Sequence, residues 1–253
     1  MGFTKEMYYN AQLVVDENGE VVANYRKSFL YYTDETWAEE GDVERGFAQL
    51  RFRPGAKGED VVKSVNTTFG ICMDINPYRF EAPWTAWEFA NRILDSKSQL
   101  VIISMAWLTQ LDREELDALG TKPDLGTFNY WIQRFMPLFQ RKMEHADSGE
   151  SEDGEKRVVV VFANRAGEEG GYGEDKSPVR YAGTSAVLAF SQKPSSSSPS
   201  ASAGDGDESE EESGMDVKIL CWDLMGAAEE GISFADTGSD PEMVFSLVKA
   251  GKN

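Results

Sequence analysis

The 253-residue chain contains one histidine and two cysteines, and their scarcity excludes several kinds of site. His145 lies in the polar stretch EHADSGESEDGE, where we expect it to be exposed. Ser-His-Asp and Cys-His triads and His-ligated metal sites are therefore not expected. Two cysteines in a chain of this length make no disulfide framework. A catalytic cysteine in this protein would need a proton acceptor other than histidine.

Long apolar segments are also missing. The longest apolar stretch, 100–108, has about half of the ~20 residues that a membrane-spanning helix needs. The opening residues MGFTKEMYYN contain no apolar signal-peptide core. We therefore expect a soluble, cytoplasmic protein with no membrane partner.

Basic residues are few relative to acidic ones: the chain has 25 Lys and Arg against 44 Asp and Glu, a formal net charge of −19. Much of the acidic excess lies in two runs, 144–155 and 205–216, which contain no Lys or Arg and which we interpret as solvated loops. A surface this acidic repels phosphate backbones, so a nucleic-acid partner is not expected.

The rest of the sequence alternates between strand and helix patterns. Residues 11–26 contain two β-rich runs around an Asn-Gly pair, which predicts a hairpin with a tight turn. Helical spacing of apolar residues predicts helices at 83–95 and 127–142, the second kinked at Pro137. Apolar, β-rich runs predict five further strands, at 66–74, 99–107, 157–164, 183–190 and 217–224. This alternation indicates an α/β fold.

A change in composition interrupts this pattern. Residues 192–214, QKPSSSSPSASAGDGDESEEESG, offer no large apolar side chain to bury, which predicts a disordered insertion. One strand pattern precedes the insertion and another follows it, so we interpret it as a long loop within one domain. Residues 1–191 and 215–253 are then parts of the same domain.

Cys72 lies where a predicted strand gives way to a turn and then to a helix. A nucleophile on such a turn presents its sulfur outward, and the backbone N–H groups of the turn can bind an oxyanion. The alternative is a buried, inert thiol, which is the usual state of a free cysteine. Cys221 lies in an apolar strand with no turn after it, so we interpret it as a core residue.

Lys27 directly follows the predicted hairpin, a position from which a side chain can enter a site at the strand ends. In the absence of histidine, a lysine beside a carboxylate can both accept a proton and lower the pKa of a thiol. The alternative is an ordinary solvated lysine.

Four segments, taken in order, resemble the carbon-nitrogen hydrolase (nitrilase) superfamily: NYRKSFLYYTDETW, GICMDINPYRFEAPWTAWEFA, VVVVFANRAGEEG and YAGTSAVL. Within that superfamily, the stretch CMDINPYRFEAPW is most similar to the protein N-terminal amidases of fungi. The resemblance implies a four-layer α-β-β-α sandwich and a Glu-Lys-Cys catalytic triad. We expect no metal and no cofactor.

The resemblance also implies roles for individual residues. Cys72 is the nucleophile, and Lys27 is the cation that stabilises the thiolate and the tetrahedral oxyanion, with help from the backbone N–H of Met73. Glu35, eight residues after Lys27, falls where several relatives carry a further active-site carboxylate. Other acidic residues lie close to it in the sequence: Asp34, Glu39 and Glu40.

Substrate recognition by an enzyme of this kind requires a partner for a free α-ammonium group. An acidic residue near the nucleophile, such as Asp74, can supply it. The alternative for Asp74 is that it caps the turn through backbone N–H groups. We interpret the matching stretches 164–168 and 183–185 as structural segments that shape the pocket floor and the sheet.

The sequence departs from the superfamily at its front. In these enzymes the general-base Glu lies well upstream of the lysine, whereas only 26 residues precede Lys27, so we expect an N-terminally truncated sandwich. The leading hypothesis is deamidation of N-terminal Asn and Gln of proteins to Asp and Glu, in the N-degron pathway. The alternatives are a small-molecule amidase or nitrilase, and an inactive pseudoenzyme. Superfamily members commonly form oligomers.

Overall fold

The computed structural model describes residues 6–52, 62–144, 154–170, 177–194 and 215–246. His145 lies outside these ranges, as do most of the two acidic runs and most of the predicted insertion.

The predicted hairpin is present. Strands β1 (Ala11–Val15) and β2 (Val21–Arg26) pair antiparallel. Gly19, in the turn between them, has a φ of 85°, a conformation that glycine adopts without steric cost.

A seven-stranded sheet forms the centre of the molecule, in the order β11-β10-β9-β6-β5-β4-β3. The three inner strands β4, β5 and β6 run parallel, and the outer pairs are antiparallel. A separate two-stranded pair consists of β7 (Glu168–Glu169) and β8 (Val179–Arg180). The strands of the large sheet are β3 (Phe47–Phe52), β4 (Lys63–Ile71), β5 (Leu100–Met105), β6 (Lys156–Asn164), β9 (Ala186–Pro194), β10 (Met215–Leu224) and β11 (Met243–Ser246).

All five predicted strands are present, with shifted ends. β4 stops at Ile71, because Cys72 turns the chain into a short 3-10 helix, so the predicted end at residue 74 was wrong. β9 continues to Pro194, three residues into the predicted insertion. Gln192 belongs to the sheet, since it pairs with Lys156 on one side and Val217 on the other, and its buried amide donates to the backbone carbonyls of Leu138 and Arg141.

The helices are shorter than predicted. They are α1 (Glu88–Asp95), α2 (Arg113–Leu119), α3 (Leu125–Gln133) and α4 (Pro137–Gln140). The predicted start of the first helix at residue 83 was wrong, since Trp87, with a φ of 42°, separates a 3-10 turn (Trp84–Ala86) from α1. The kink predicted at Pro137 is confirmed: the chain breaks after α3, and the proline begins α4.

Three of these helices, α1, α3 and α4, cover one face of the sheet. In α3, Trp131 stacks on Phe162 of β6 with ring centroids 5.2 Å apart. Phe135, just after α3, stacks on Phe190 of β9 at 5.5 Å. α1 contributes Phe89, which packs edge-on against Phe135. This continuous aromatic and aliphatic core fixes the position of α3 relative to the strands.

The hairpin covers part of the opposite face, where Tyr25 packs with Leu50, Phe69 and Ile71. The mixed α/β fold class is therefore confirmed, with a large sheet and few helices. The described residues form one large sheet, so the four-layer arrangement and the truncation stay predictions. β3, β11 and α2 were not predicted.

Candidate active site

Cys72 lies at the end of the inner strand β4, as the first residue of the 3-10 helix Cys72–Ile75. Its φ of 46° is in the left-handed region, which costs a residue with a side chain of order 1–3 kcal/mol. Such strain persists where the surrounding structure enforces it, and it is common at functional turns. Cys72 as a whole is partly buried.

Asp74 fixes this turn from within. Its carboxylate accepts hydrogen bonds from the backbone N–H of Ile71 (2.7 Å), Ser28 (3.1 Å) and Phe29 (2.8 Å), and from the hydroxyl of Tyr25 (2.7 Å). Burial raises the pKa of Asp74, and these hydrogen bonds oppose that rise. The substrate contact proposed for Asp74 stays a prediction, but the bonds it makes are those of a backbone cap.

Those bonds also bring Lys27 close to Cys72, because they tie residues 28 and 29 to the Cys72 turn. The Lys27 side chain is buried, and its Nζ lies 2.5 Å from Oδ2 of Asp34. Asp34 also accepts from the backbone N–H of Tyr31 (3.0 Å) and from the Asn10 amide (3.2 Å). Burial alone would raise the pKa of Asp34, but the bonds from Lys27 and Tyr31 bring it below its ordinary value.

The Cys72 thiol is subject to opposing influences. Burial raises its pKa, while the charge of Lys27 and a hydrogen bond from the backbone of Ala106 lower it. The charges of Asp74 and Asp34 act in the same direction as burial, and the net effect is a raised pKa. Ala106 directly follows β5, so the sulfur lies between the ends of two neighbouring parallel strands.

Glu35 lies beside a cavity, whereas Lys27 is paired with Asp34. It is exposed and lines a cavity of about 260 Å³ together with residues from two segments: Leu30, Tyr31, Tyr32, Met73, Arg79, Phe80 and Glu81. Met73, the residue after Cys72, places this cavity beside the Cys72 turn. The structure thus brings Cys72 and Lys27 together with Asp34, and it leaves Glu35 facing the adjacent cavity. That Glu35 is a catalytic carboxylate stays a prediction.

Met73 follows Cys72 in the first turn of the short helix, where the leading N–H groups have no partner within the helix. Its side chain is buried, and its sulfur accepts from the amide of Asn76 (3.1 Å). The backbone N–H of Met73 therefore belongs to a turn that is held on both sides, as an oxyanion donor would have to be.

The structural interpretation of Asn164 and Ser185 agrees with their contacts. The Asn164 amide accepts from the backbone N–H of Trp107 (2.7 Å) and donates to the carbonyl of Gly183 (2.9 Å). The Ser185 hydroxyl accepts from the backbone N–H of Asn164 and donates to its carbonyl.

Cys221 is fully buried, which confirms it as a core residue, and burial raises its pKa to about 11.

Sequence reasoning named Asp34 as one of several nearby acids without singling it out. The residue occupies the start of a 3-10 turn (Asp34–Thr36), and the Tyr31 N–H orients its carboxylate toward Lys27.

In the described ranges, no group of three or more His, Cys, Asp or Glu side chains is arranged to hold a metal ion. No helix in the described part of the chain is long and apolar enough to cross a membrane.

Comparison with known proteins finds similar sequences and similar solved structures. No family model matches the chain. It is 30% identical over 195 residues to the protein N-terminal amidase of Schizosaccharomyces pombe, which covers 73% of this chain and 56% of the relative. It is 39% identical over 111 residues to the protein N-terminal amidase of Saccharomyces cerevisiae, covering 41% and 24%. The chain therefore spans about half of the first relative and a quarter of the second.

Solved structures share the fold. A crystal structure of N-terminal amidase with an Asn-Glu-Ala peptide has a TM-score of 0.52 and 22% identity, covering 72% of this chain and 67% of that one. A second, with a Gln-Val peptide, has a TM-score of 0.55 and 20% identity, covering 87% and 72%.

Proposed function

We propose, from the premise that this chain is an N-terminal amidase-like protein of the carbon-nitrogen hydrolase superfamily, that it deamidates Asn and Gln at the N-termini of peptides or proteins. The products are N-terminal Asp or Glu and ammonia, and the reaction supplies the cytoplasmic N-degron pathway. The observation that carries the proposal is the position of Cys72 on a strained turn, with Lys27 buried beside it.

In the proposed mechanism, the sulfur of Cys72 attacks the carboxamide carbon, and the thiol proton passes to the Lys27–Asp34 pair, which later returns it to the leaving nitrogen. Lys27 and the backbone N–H of Met73 stabilise the tetrahedral oxyanion. The carbon–nitrogen bond breaks, the nitrogen takes up a proton, and ammonia departs. The acyl group remains on the sulfur of Cys72 as a thioester. Water then attacks the thioester, which releases the carboxylate product and regenerates the thiol.

The cavity beside Met73 is the proposed binding place of the substrate's α-ammonium group. Arg79 at its wall is neutralised by Glu40, with a separation of 3.2 Å. The side-chain carboxylates of Glu35 and Glu81 have no hydrogen-bond or ion-pair partner among the described residues, so the cavity presents excess negative charge. The aromatic rings of Tyr31, Tyr32 and Phe80 add faces on which a cation is stabilised.

The test compares an Asn-initiated peptide with its N-acetylated form and measures ammonia release by wild type and Cys72→Ala. We expect turnover of the free amine alone, and loss of turnover in Cys72→Ala. Cys221→Ala, which removes the other thiol, is the matched control and should retain activity. Equal turnover of both peptides would favour a small-molecule amidase, and activity retained in Cys72→Ala would overturn the mechanism.

A second candidate is a chain that keeps the site but turns over little. The observation in its favour is the raised pKa of Cys72, which leaves the sulfur protonated at neutral pH. Asp34, the carboxylate bonded to Lys27, has a lowered pKa and is therefore a weak proton acceptor. Absence of ammonia release from a folded wild-type chain, with a slowly reacting thiol, would favour this candidate.

A further inference from the structure

We propose that Tyr130 and Arg134 are positioning residues that hold the backbone after Cys72 in the geometry needed for oxyanion stabilisation. The two residues are four positions apart on α3 and its C-terminal cap, so they lie on one helical face. The aromatic core fixes α3 against the sheet, and a contact from α3 therefore ties the nucleophile turn to the packed core of the molecule. This inference rests on the proposed function.

Arg134 joins two segments of backbone. Its side chain is fully enclosed, Nε donates to the carbonyl of Ile75 (2.8 Å), and a terminal nitrogen donates to the carbonyl of Trp84 (2.5 Å). The guanidinium also lies over the Trp84 ring, 4.4 Å from its centroid. Ile75 is the last residue of the nucleophile turn, and Trp84 begins the turn before α1. The planar guanidinium makes both bonds in a fixed geometry that a lysine ammonium does not reproduce.

Tyr130 contacts the residue after the same turn, through the side chain of Asn76. Its hydroxyl donates to Oδ1 of Asn76 (2.6 Å), and the Asn76 amide donates to the sulfur of Met73 (3.1 Å). The Tyr130 ring meets Trp84 edge-on at 5.3 Å. A chain of contacts thus runs from α3 to the residue whose N–H is proposed to bind the oxyanion.

The segment that these residues hold is strained. Between Ile75 and α1, Arg79, Phe80 and Trp87 all have positive φ values, of 53°, 56° and 42°. Conformations of this kind persist only where surrounding contacts over-determine them.

The buried guanidinium is also incompletely paired. Oε2 of Glu88 lies 3.9 Å from Nη2 of Arg134, and neither of these two atoms has a hydrogen-bond partner among the described residues. A buried charge with incomplete pairing is a poor source of stability. Its contribution here is to fix geometry, through carbonyl contacts that an apolar side chain cannot make.

The first test is Tyr130→Phe, which keeps the ring and removes the hydroxyl that reaches Asn76. We expect kcat for an Asn-initiated peptide to fall about 10- to 100-fold with KM unchanged within about twofold, because misplacing an oxyanion donor affects the transition state rather than binding. The matched control is Tyr8→Phe, which removes an exposed hydroxyl bonded to Glu6 and should leave both constants unchanged. An unchanged kcat in Tyr130→Phe overturns the proposal, as does a loss of kcat that is accompanied by global unfolding.

Arg134→Lys is the second variant, since it keeps the charge but not the fork. We expect at least as large a fall in kcat, whereas Arg141→Lys, at an exposed ion pair with Asp95, should behave as wild type. Full activity in Arg134→Lys would contradict a role for the forked contact.

A readout independent of turnover separates this proposal from the proposed function. In Tyr130→Phe, amide hydrogen exchange in the segment 72–76 should accelerate about tenfold or more, with exchange in the strands unchanged. Wild type that releases no ammonia would remove the proposed function, while the exchange comparison would still decide whether Tyr130 holds the turn. Unchanged exchange in that segment would show that it does not.

Discussion

Lys27 Nζ and Asp34 Oδ2 are 2.5 Å apart, and both side chains are almost entirely buried. The pair is held in place on the carboxylate side by the Tyr31 N–H and the Asn10 amide. Because the ammonium is already neutralised, its effect on the nearby thiol is smaller than that of an isolated cation. The pair therefore contributes to the structure of the site as well as to its charge.

Replacing Asp34 by Asn should destabilise the protein strongly. The change leaves the Lys27 ammonium buried without a counter-charge, a loss of about 3–5 kcal/mol for a broken buried pair. Urea unfolding measures it. The matched control is Glu35→Gln, the same kind of change on the adjacent exposed residue, which should cost less than about 0.5 kcal/mol. Equal losses in the two variants would contradict the pairing.

The same pair predicts a pH dependence. The pKa of Asp34 in the folded protein lies below its ordinary value, so its contribution to stability is present above the unfolded pKa and is lost as pH falls through the folded pKa. The difference in unfolding free energy between wild type and Asp34→Asn should therefore be constant near neutral pH and shrink below about pH 4. A difference that grows on acidification would show that the shift has the opposite sign.

Asp74→Asn tests the internal cap of the turn that begins at Cys72. Each carboxylate oxygen of Asp74 faces donors, so the amide nitrogen of asparagine would be placed against an N–H or a hydroxyl. We expect a loss of about 2 kcal/mol or more in unfolding free energy. Asp117→Asn, at an exposed i,i+4 pair with Arg113, is the control and should change stability by less than about 0.5 kcal/mol. Unaltered stability of Asp74→Asn would argue that the carboxylate is available for substrate.

Glu35→Gln and Glu81→Gln test the cavity as the ammonium site. Each removes one negative charge from the wall of the proposed ammonium site, so KM for an Asn-initiated peptide should rise about tenfold while kcat changes little. Glu114→Gln, on the exposed first turn of α2, is the matched control. A fall in kcat at unchanged KM would instead favour the catalytic role predicted for Glu35 from the resemblance.

The extent to which the sequence predicts this structure depends on how local each signal is. The hairpin follows from Asn18 and Gly19, since turn residues restrict the backbone directly. The Asn76-Pro77 pair predicts that β4 ends nearby, but the strand stops earlier, at Ile71, where Cys72 adopts a left-handed conformation. The break at Trp87 has no comparable local signal, because contacts with the distant Arg134 hold the turn that precedes it.

The candidate site shows the same division. Cys72 and Lys27 are recognisable from their segments, whereas the choice between Asp34 and its neighbour Glu35 is made by the orientation of one 3-10 turn. Adjacent residues on such a turn point in different directions, and spacing along the chain cannot identify which one meets the lysine. The edge strands β3 and β11 were missed for a related reason, since each is defined largely by pairing with a single neighbour.

The reactivity of Cys72 separates the active enzyme from the low-turnover candidate. Its pKa is raised, first by burial, so the thiolate fraction at pH 7.5 is small and alkylation by iodoacetamide should be slower than that of a free thiol. The rate should rise about tenfold per pH unit through pH 9, since only the thiolate reacts. Lys27→Met removes the main opposing charge, raises the pKa further and slows the reaction. Measuring these rates in a Cys221→Ala background assigns them to one sulfur. A rate that levels off below pH 8 would reveal a thiolate activated by its surroundings, and it would favour the amidase over the inactive chain.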